Sequence, residues 1–212
     1  DNYKGGTDRI TNKYDFTGKV LKSKATQTTY DVKWKDLVGV SFQGNRIYRS
    51  TASPSWGTSG AASVDQLGAS QNGWIEFNVT ENLTQRMFGF SDSNPDAGIN
   101  NLDYAVYMDG SVLRVYKNGV LAPSGNLAGA TVKGELLRWE RNGTNLYLKR
   151  NGTTAYTFTG VTTAALMADV SFYTQNGSIA NVAASFAETS HSITRSFTYD
   201  HAGRVLKVWH RL

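Results

Sequence analysis

The residues that could do chemistry are unevenly placed. The chain has no cysteine, and its three histidines, His191, His201 and His210, all lie in the C-terminal flank. Residues 31–188 therefore hold no Ser–His triad, no thiolate nucleophile and no His or Cys metal site. No Gly-x-Ser-x-Gly elbow and no phosphate-binding Gly-rich loop occurs. Acid–base hydrolysis by two carboxylates needs both on one face of the site. Here Glu76 is followed on its strand face by Asn78 and Thr80, while Glu76 and Glu81 fall on opposite faces of an extended strand. Glu135 and Glu140 flank a strand and read as solubilising charges. The chain reads as non-enzymatic.

Binding chemistry is better represented. Side chains alternate across a strand. If Ile75, Phe77 and Val79 face the core, Trp74 and Glu76 face out. The same alternation turns Asp103 and Tyr107 outward from Tyr104, Val106 and Met108. It turns Asp169, Ser171 and Tyr173 away from Val170 and Phe172, and Arg114 and Tyr116 away from Leu113 and Val115. Flat aromatic rings beside acids, amides and bases suit sugars, whose C–H faces pack on rings and whose hydroxyls need polar partners. The candidate ligand residues are Trp56, Trp74, Asp103, Tyr107 and Tyr173. The competing role for such aromatics is cross-strand packing. Trp56, in a Ser/Gly/Thr loop, is equally suited to plugging the edge of the fold. Trp34 and Trp139 read as structural. The stretch 91–103 carries three Asp (Asp92, Asp96, Asp103) and three Asn. These are hard oxygen donors that would suit Ca²⁺, without the spacing of a known calcium loop; no cofactor is expected.

The elements that must hold these residues are strands. Charged residues are 18% and aromatics 12% of the 212-residue chain, with 21 Gly and 3 Pro, a mixture suited to short strands and tight turns. Strand-like runs fall at 34–41, 46–50, 73–80, 86–91, 102–108, 113–117, 136–141, 146–150, 154–158, 168–174 and 179–187. Asp109-Gly110, Asn118-Gly119, Asn142-Gly143, Asn151-Gly152 and Asn176-Gly177 supply turns of the kind that close hairpins. Residues 162–168 could make one helical turn. The pattern predicts an all-β, two-sheet antiparallel sandwich. The formal net charge of +5 is spread along the chain, which argues a solvated surface and no nucleic-acid partner. No apolar stretch is long enough to span a bilayer. The chain begins at Asp1 without an initiator Met, as expected of a segment of a longer protein.

One repeat stands out. Tyr14-Asp15-Phe16-Thr17-Gly18-Lys19-Val20-Leu21-Lys22 matches Tyr199-Asp200-His201-Ala202-Gly203-Arg204-Val205-Leu206-Lys207 at six of nine positions. Asp accepting backbone N–H groups and Gly at positive φ would close a hairpin in each copy. The two copies resemble the YD repeats of the RHS family, large bacterial surface-linked or secreted proteins whose repeats wind into a β-shell. That resemblance implies an extracellular or cell-surface setting. The intervening order of strands resembles the concanavalin A-like jelly rolls, which include lectins, laminin-G-like domains and carbohydrate-binding modules, and also the peptide-binding SPRY domains. Together they imply a lectin-like sandwich at 31–188 inserted between YD flanks, 1–30 and 189–212, that pair with each other. The expected partner is a glycan or polysaccharide, with a protein partner or a purely structural insert as alternatives, and the expected state is a monomer.

Overall fold

The computed structural model describes residues 8–211. In chain order the strands are β1 (Asp8–Tyr14), β2 (Val20–Thr29), β3 (Trp34–Val38), β4 (Val40–Gln43), β5 (Arg46–Arg49), β6 (Gly60–Leu67), β7 (Gly73–Val79), β8 (Arg86–Ser91) and β9 (Tyr104–Met108). They continue as β10 (Leu113–Lys117), β11 (Val120–Leu127), β12 (Leu136–Asn142), β13 (Asn145–Arg150), β14 (Thr153–Thr159), β15 (Leu166–Phe172), β16 (Ser178–Ala184), β17 (Thr189–Tyr199) and β18 (Val205–Arg211). Among the described residues the helical content is one 3-10 turn, Ile99–Asn101. Residues 162–165 make no helical turn, and β15 begins at Leu166.

The chain forms two compact units, residues 1–30 with 188–212, and residues 31–187. The larger is a sandwich of two seven-stranded antiparallel sheets. One, the β9 sheet, has the order β11-β10-β9-β8-β15-β6-β3; the other, the β12 sheet, has the order β14-β13-β12-β7-β16-β5-β4. Period-two alternation builds the layer between them. The β9 sheet contributes Phe88, Phe90, Val106, Val115, Val170 and Phe172. The β12 sheet contributes Ile75, Phe77, Leu137, Trp139, Leu146, Leu148 and Ile179, all at or near zero exposure. Trp139 is fully enclosed, stacks on Phe158 with centroids 6.1 Å apart, and donates its indole N–H to the Phe88 carbonyl of the opposite sheet (3.3 Å). Phe77 and Phe88 meet across the layer at 4.6 Å.

Three departures from the sequence pattern have local causes. The run expected at 34–41 is two strands in different sheets, β3 and β4, because Gly39 turns between them at φ +55. A Cβ there would lie 2.4 Å from the Thr58 carbonyl oxygen. Asn176-Gly177 closes no hairpin; it carries the chain from β15 in one sheet to β16 in the other. β6 and β11 fall where no strand was expected. β6 is rich in small and polar residues and is held by pairing on both sides. β11 contains Pro123 and Gly125 and sits at a sheet edge, where Pro breaks no ladder.

The smaller unit is one four-stranded antiparallel sheet, ordered β1-β2-β17-β18. Its two hairpins close alike. Asp15 and Asp200 each accept the N–H four residues on, from Lys19 at 2.9 Å and Arg204 at 2.8 Å. Gly18 and Gly203 sit at φ +84 and +81. β2 pairs β17 from Thr29↔Thr189 to Lys22↔Ser196.

Gly89 lies in β8 between β9 and β15, opposite Ala105 and Asp169. A Cβ added there would meet the Tyr104 carbonyl oxygen at 1.8 Å. Gly89→Ala is expected to destabilise the sandwich by about 2 kcal/mol or more, read as a lower midpoint in urea; an unchanged midpoint would show that the β8–β9 backbones are not this close.

Candidate functional site

The five candidate ligand residues divide between the two sheets. Trp56, Tyr107 and Tyr173 come together over the outer face of the β9 sheet. The Trp56 ring lies 5.3 Å from Tyr173 and 6.3 Å from Tyr107, and Tyr116 makes an edge contact with Tyr107 at 6.0 Å. All four are partly buried, and Met87, Leu102 and Ala105 lie beneath. Trp56 is placed by Arg49, which is 1% exposed. The Arg49 guanidinium donates to the carbonyls of Thr51, Ser53, Ser55 and Phe172 and to Thr58 Oγ1, folding the 51–58 loop round itself. Tyr107 donates to Asp109 (3.3 Å). Burial, aided by the Asp109 charge, pushes its phenol up to about 12, so it stays a neutral donor. These rings meet one another in tilted and edge contacts. In this position Trp56 packs on its aromatic neighbours and keeps part of its ring exposed.

Asp103 lies beside this cluster in the polar stretch 91–103 and is tied back, accepting the Asp92 N–H at 2.7 Å. Burial raises its carboxyl above the usual range. Asp96 accepts from Gly98 N and Asn101 Nδ2, both at 2.6 Å. The stretch covers the outer face of β15. Asp169 and Ser171 stand on that face as expected, yet they are buried, at 2% and 0% exposure. Ser91 Oγ donates to Asp169 at 2.6 Å, Ser171 Oγ to the Ala97 carbonyl at 2.8 Å, and Gly57 bridges Ala97. Among the described residues no three Asp, Glu or His side chains are arranged to hold a metal ion. Of the three acids suggested as Ca²⁺ donors, Asp96 and Asp103 accept N–H groups within this stretch.

Trp74 is on the β12 sheet, apart from the other four. It lines a cleft of about 360 Å³ with Asn72, Glu140, Asn142 and Ser185. Cross-strand register builds the surroundings. Arg138 is opposite Glu76, and Glu140 is opposite Trp74. The Arg138 guanidinium lies over the indole, 4.2 Å from its centroid, and pairs with Glu76 at 2.6 Å. Glu76, on the outward face as expected, is thereby buried. Lys149 completes the row through Glu140 at 2.8 Å. Ser185 Oγ accepts the Trp74 N–H (2.9 Å), and Asn72 Oδ1 accepts the Gly143 N–H (2.8 Å). The wall is set by Arg141, 1% exposed, which donates to the carbonyls of Gln71, Ala164 and Gly68. Gly73 admits this packing, since a Cβ would lie 2.4 Å from Leu67 and 2.6 Å from Ser185. Sequence reasoning passed over Asn72, Asn142 and Ser185. Ser185 is 111 residues from Trp74, and nothing in local spacing joins them.

Glu76 and Glu81, the carboxylates weighed for acid–base work, are each ion-paired. Glu81 pairs with Arg86 at 3.6 Å and accepts from Thr84 and Ser178. Although burial opposes it, Arg86 and these donors hold its carboxyl below the usual range.

The sequence matches no protein-family profile and no curated protein. In three dimensions the chain is similar to the PSPRY domain of TRIM65, at 12% identity and TM-score 0.51, over 71% of this chain and 88% of that one. It is also similar to the exoplasmic/lumenal domain of VIP36 in its Ca²⁺/Man-bound form, at 10% identity and TM-score 0.50, over 84% and 89%. The chain is an all-β antiparallel sandwich with the jelly-roll fold of these neighbours. At these identities the likeness speaks for the fold alone.

Asp169 has a consequence for pH. Burial, with the charges of Asp103 and Asp96, raises its carboxyl to about 7, against the hydrogen bonds from Ser91 and Val170. An unfolded Asp ionises near its ordinary value of about 4. Between about pH 4 and 7 the unfolded chain gives up a proton that the folded chain keeps, so this group costs stability as pH rises. Asp169→Asn should flatten the fall in melting temperature of the wild type between pH 5 and pH 8. Parallel melting curves for the two proteins would rule this out.

Proposed function

We propose that the sandwich is a non-catalytic carbohydrate-binding module and that the Trp74 cleft is its ligand site. The observation that carries this reading is the cleft's lining. An indole held in place by Arg138 stands beside two amides, a carboxylate and a hydroxyl, in a concavity of about 360 Å³. Pyranose recognition needs an apolar platform for ring C–H groups and several convergent donors and acceptors. The VIP36 domain, which shares the fold, is mannose-bound in its own structure. The Trp56–Tyr107–Tyr173 cluster and Asp103, on the other sheet, are a second aromatic surface. It favours the alternative of an SPRY-like protein- or peptide-binding module.

The setting belongs to the same proposal. The matching Tyr-Asp-x-x-Gly-(Lys/Arg)-Val-Leu-Lys hairpins support a place in a bacterial RHS-type protein, secreted or at the cell surface, with the sandwich displayed between two YD repeats. Among the described residues no helix is long and apolar enough to cross a membrane.

A glycan-array screen of the whole chain, with and without Ca²⁺, tests the module. Trp74→Ala should lower binding to the hits at least tenfold while melting within a few degrees of wild type, because the indole is partly exposed. Trp56→Ala should leave binding intact. Loss in Trp56→Ala alone would move the site to the β9 sheet, and silence across plant, algal, bacterial and animal glycans would remove the carbohydrate reading.

A further inference from the structure

The two hairpins of the smaller unit are joined by more than the β2–β17 ladder, because the first turn reaches across to the second. The Lys19 ammonium lies 5.6 Å from the centroid of the Tyr199 ring. It also stands against the second turn, where a Cβ added at Gly203 would meet it at 2.8 Å. The Tyr199 hydroxyl donates to the Val20 carbonyl at 2.7 Å. All four residues belong to the Tyr-Asp-x-x-Gly-(Lys/Arg)-Val motif. The contact is thus one copy of the motif receiving the next.

The corresponding groups stand at the two ends of the sheet. β1 and β18 are its outer strands, and among the described residues neither has a partner on its outer side. Tyr14, the counterpart of Tyr199, is 52% exposed, and its hydroxyl accepts from Asn12 of its own strand (3.2 Å). Arg204, the counterpart of Lys19, has its side chain 82% exposed and pairs with Asp200 of its own turn (2.7 Å). Strand direction reverses at every step across the sheet, so β18 runs antiparallel to β1. A second molecule in the same orientation would set its β1 antiparallel beside β18. The β2–β17 register carried to that edge puts Lys207 opposite Thr11 and Val208 opposite Ile10, the counterparts of Lys22↔Ser196 and Ser23↔Arg195. Val208 and Ile10, 40% and 70% exposed, would cover each other. A strand edge left open is a template for another strand.

We propose that copies of this chain associate head to tail, the β18 edge of one molecule taking the β1 edge of the next, with Arg204 of the first laid against Tyr14 of the second. The partner is another copy because the edge to be filled repeats, turn for turn, the edge that β17 fills inside the molecule. The contact is heterologous, so it does not close on itself and gives chains of growing length. It is one strand long and therefore weak, and the molecule is a monomer only when dilute. Ile10 and Val208 also share an apolar face of the sheet, which offers a rival arrangement, a closed face-to-face dimer. The proposal is independent of the Trp74 cleft.

The test is sedimentation equilibrium of the full chain from about 10 µM to 1 mM, a range suited to an interface below ~1,200 Å². The mean mass should rise with concentration and pass that of a dimer. Ile10→Lys sets a charge in the β1 edge, and Val208→Lys sets one in the β18 edge. Each variant alone should stay monomeric over this range. Their equimolar mixture should form 1:1 dimers and nothing larger, because one intact edge of each kind remains. A face-to-face dimer would stop at two copies in the wild type and be lost in the mixture. Leu83→Lys adds the same charge at an 85% exposed position of the sandwich and should associate as wild type. If either edge variant melts low, Tyr14→Phe and Arg204→Gln leave the ladder intact and should each weaken association by about threefold. A wild type that stays monomeric, a closed dimer, a monomeric mixture of folded variants, or equal loss in Leu83→Lys would overturn the proposal.

Discussion

The outer loops of the sandwich depend on guanidinium groups placed where water cannot reach them. Arg49, Arg86 and Arg141 are among the largest fully buried side chains, beside Trp139 and the core phenylalanines. A buried charge is tolerated only when hydrogen bonds replace its hydration. Backbone carbonyls supply most of these bonds here, with the Thr58 and Thr84 hydroxyls and the Glu81 carboxylate, while Arg86 Nε has no partner among the described residues. Arg141 gathers the 68–71 turn and Ala164, Arg49 gathers the 51–58 loop, and Arg86 gathers the Glu81–Thr84 turn. Irregular backbone, with no ladder partners of its own, is thereby satisfied. Both aromatic surfaces follow from these hubs, since Arg49 places Trp56 and Arg141 forms the wall beside Trp74.

A two-sheet sandwich has two outer faces, and this chain uses them differently. Over the β9 sheet the loops 51–59 and 91–103 fold down and turn outward-facing side chains into a second small core. Aromatic rings there satisfy one another. Over the β12 sheet the outer surface is a row of alternating charges, Glu76, Arg138, Glu140 and Lys149, with Trp74 laid against it. Each charge has an opposite neighbour, so the row is close to neutral and fixes the indole without a covering loop. One indole is spent on packing and the other lines a concavity.

The smaller unit follows another logic. Among the described residues its four strands carry no second layer of their own. Ile10, Leu21, Ile193, Val205, Leu206, Val208 and Trp209 all remain exposed. Local devices hold it, namely the twin Asp–Gly turns and the long β2–β17 ladder. Positive charge that looks dispersed along the sequence is collected on one face by that ladder.

Much of this protein is legible without coordinates. Alternation in 75–79, 104–108 and 146–148 marks core faces because a pleated strand offers no other periodicity, and those residues are buried. Asn118-Gly119 and Asn151-Gly152 mark hairpins because only residues at ease with positive φ close a two-residue turn. The all-β sandwich follows from those local rules. What tertiary structure decided is everything that depends on which strand lies beside which. Trp74 and Tyr107 read alike in sequence, yet they stand on opposite sheets. Asp169 and Ser171 read as outward and are buried, because a loop about 70 residues away in the chain closes over them. Ser185 joins Trp74 across 111 residues, and Lys13 meets Lys22 only through hairpin register. Alternation is written residue by residue, so sequence carries it. Sheet order and loop closure are set by packing of the whole chain, and no local spacing encodes them.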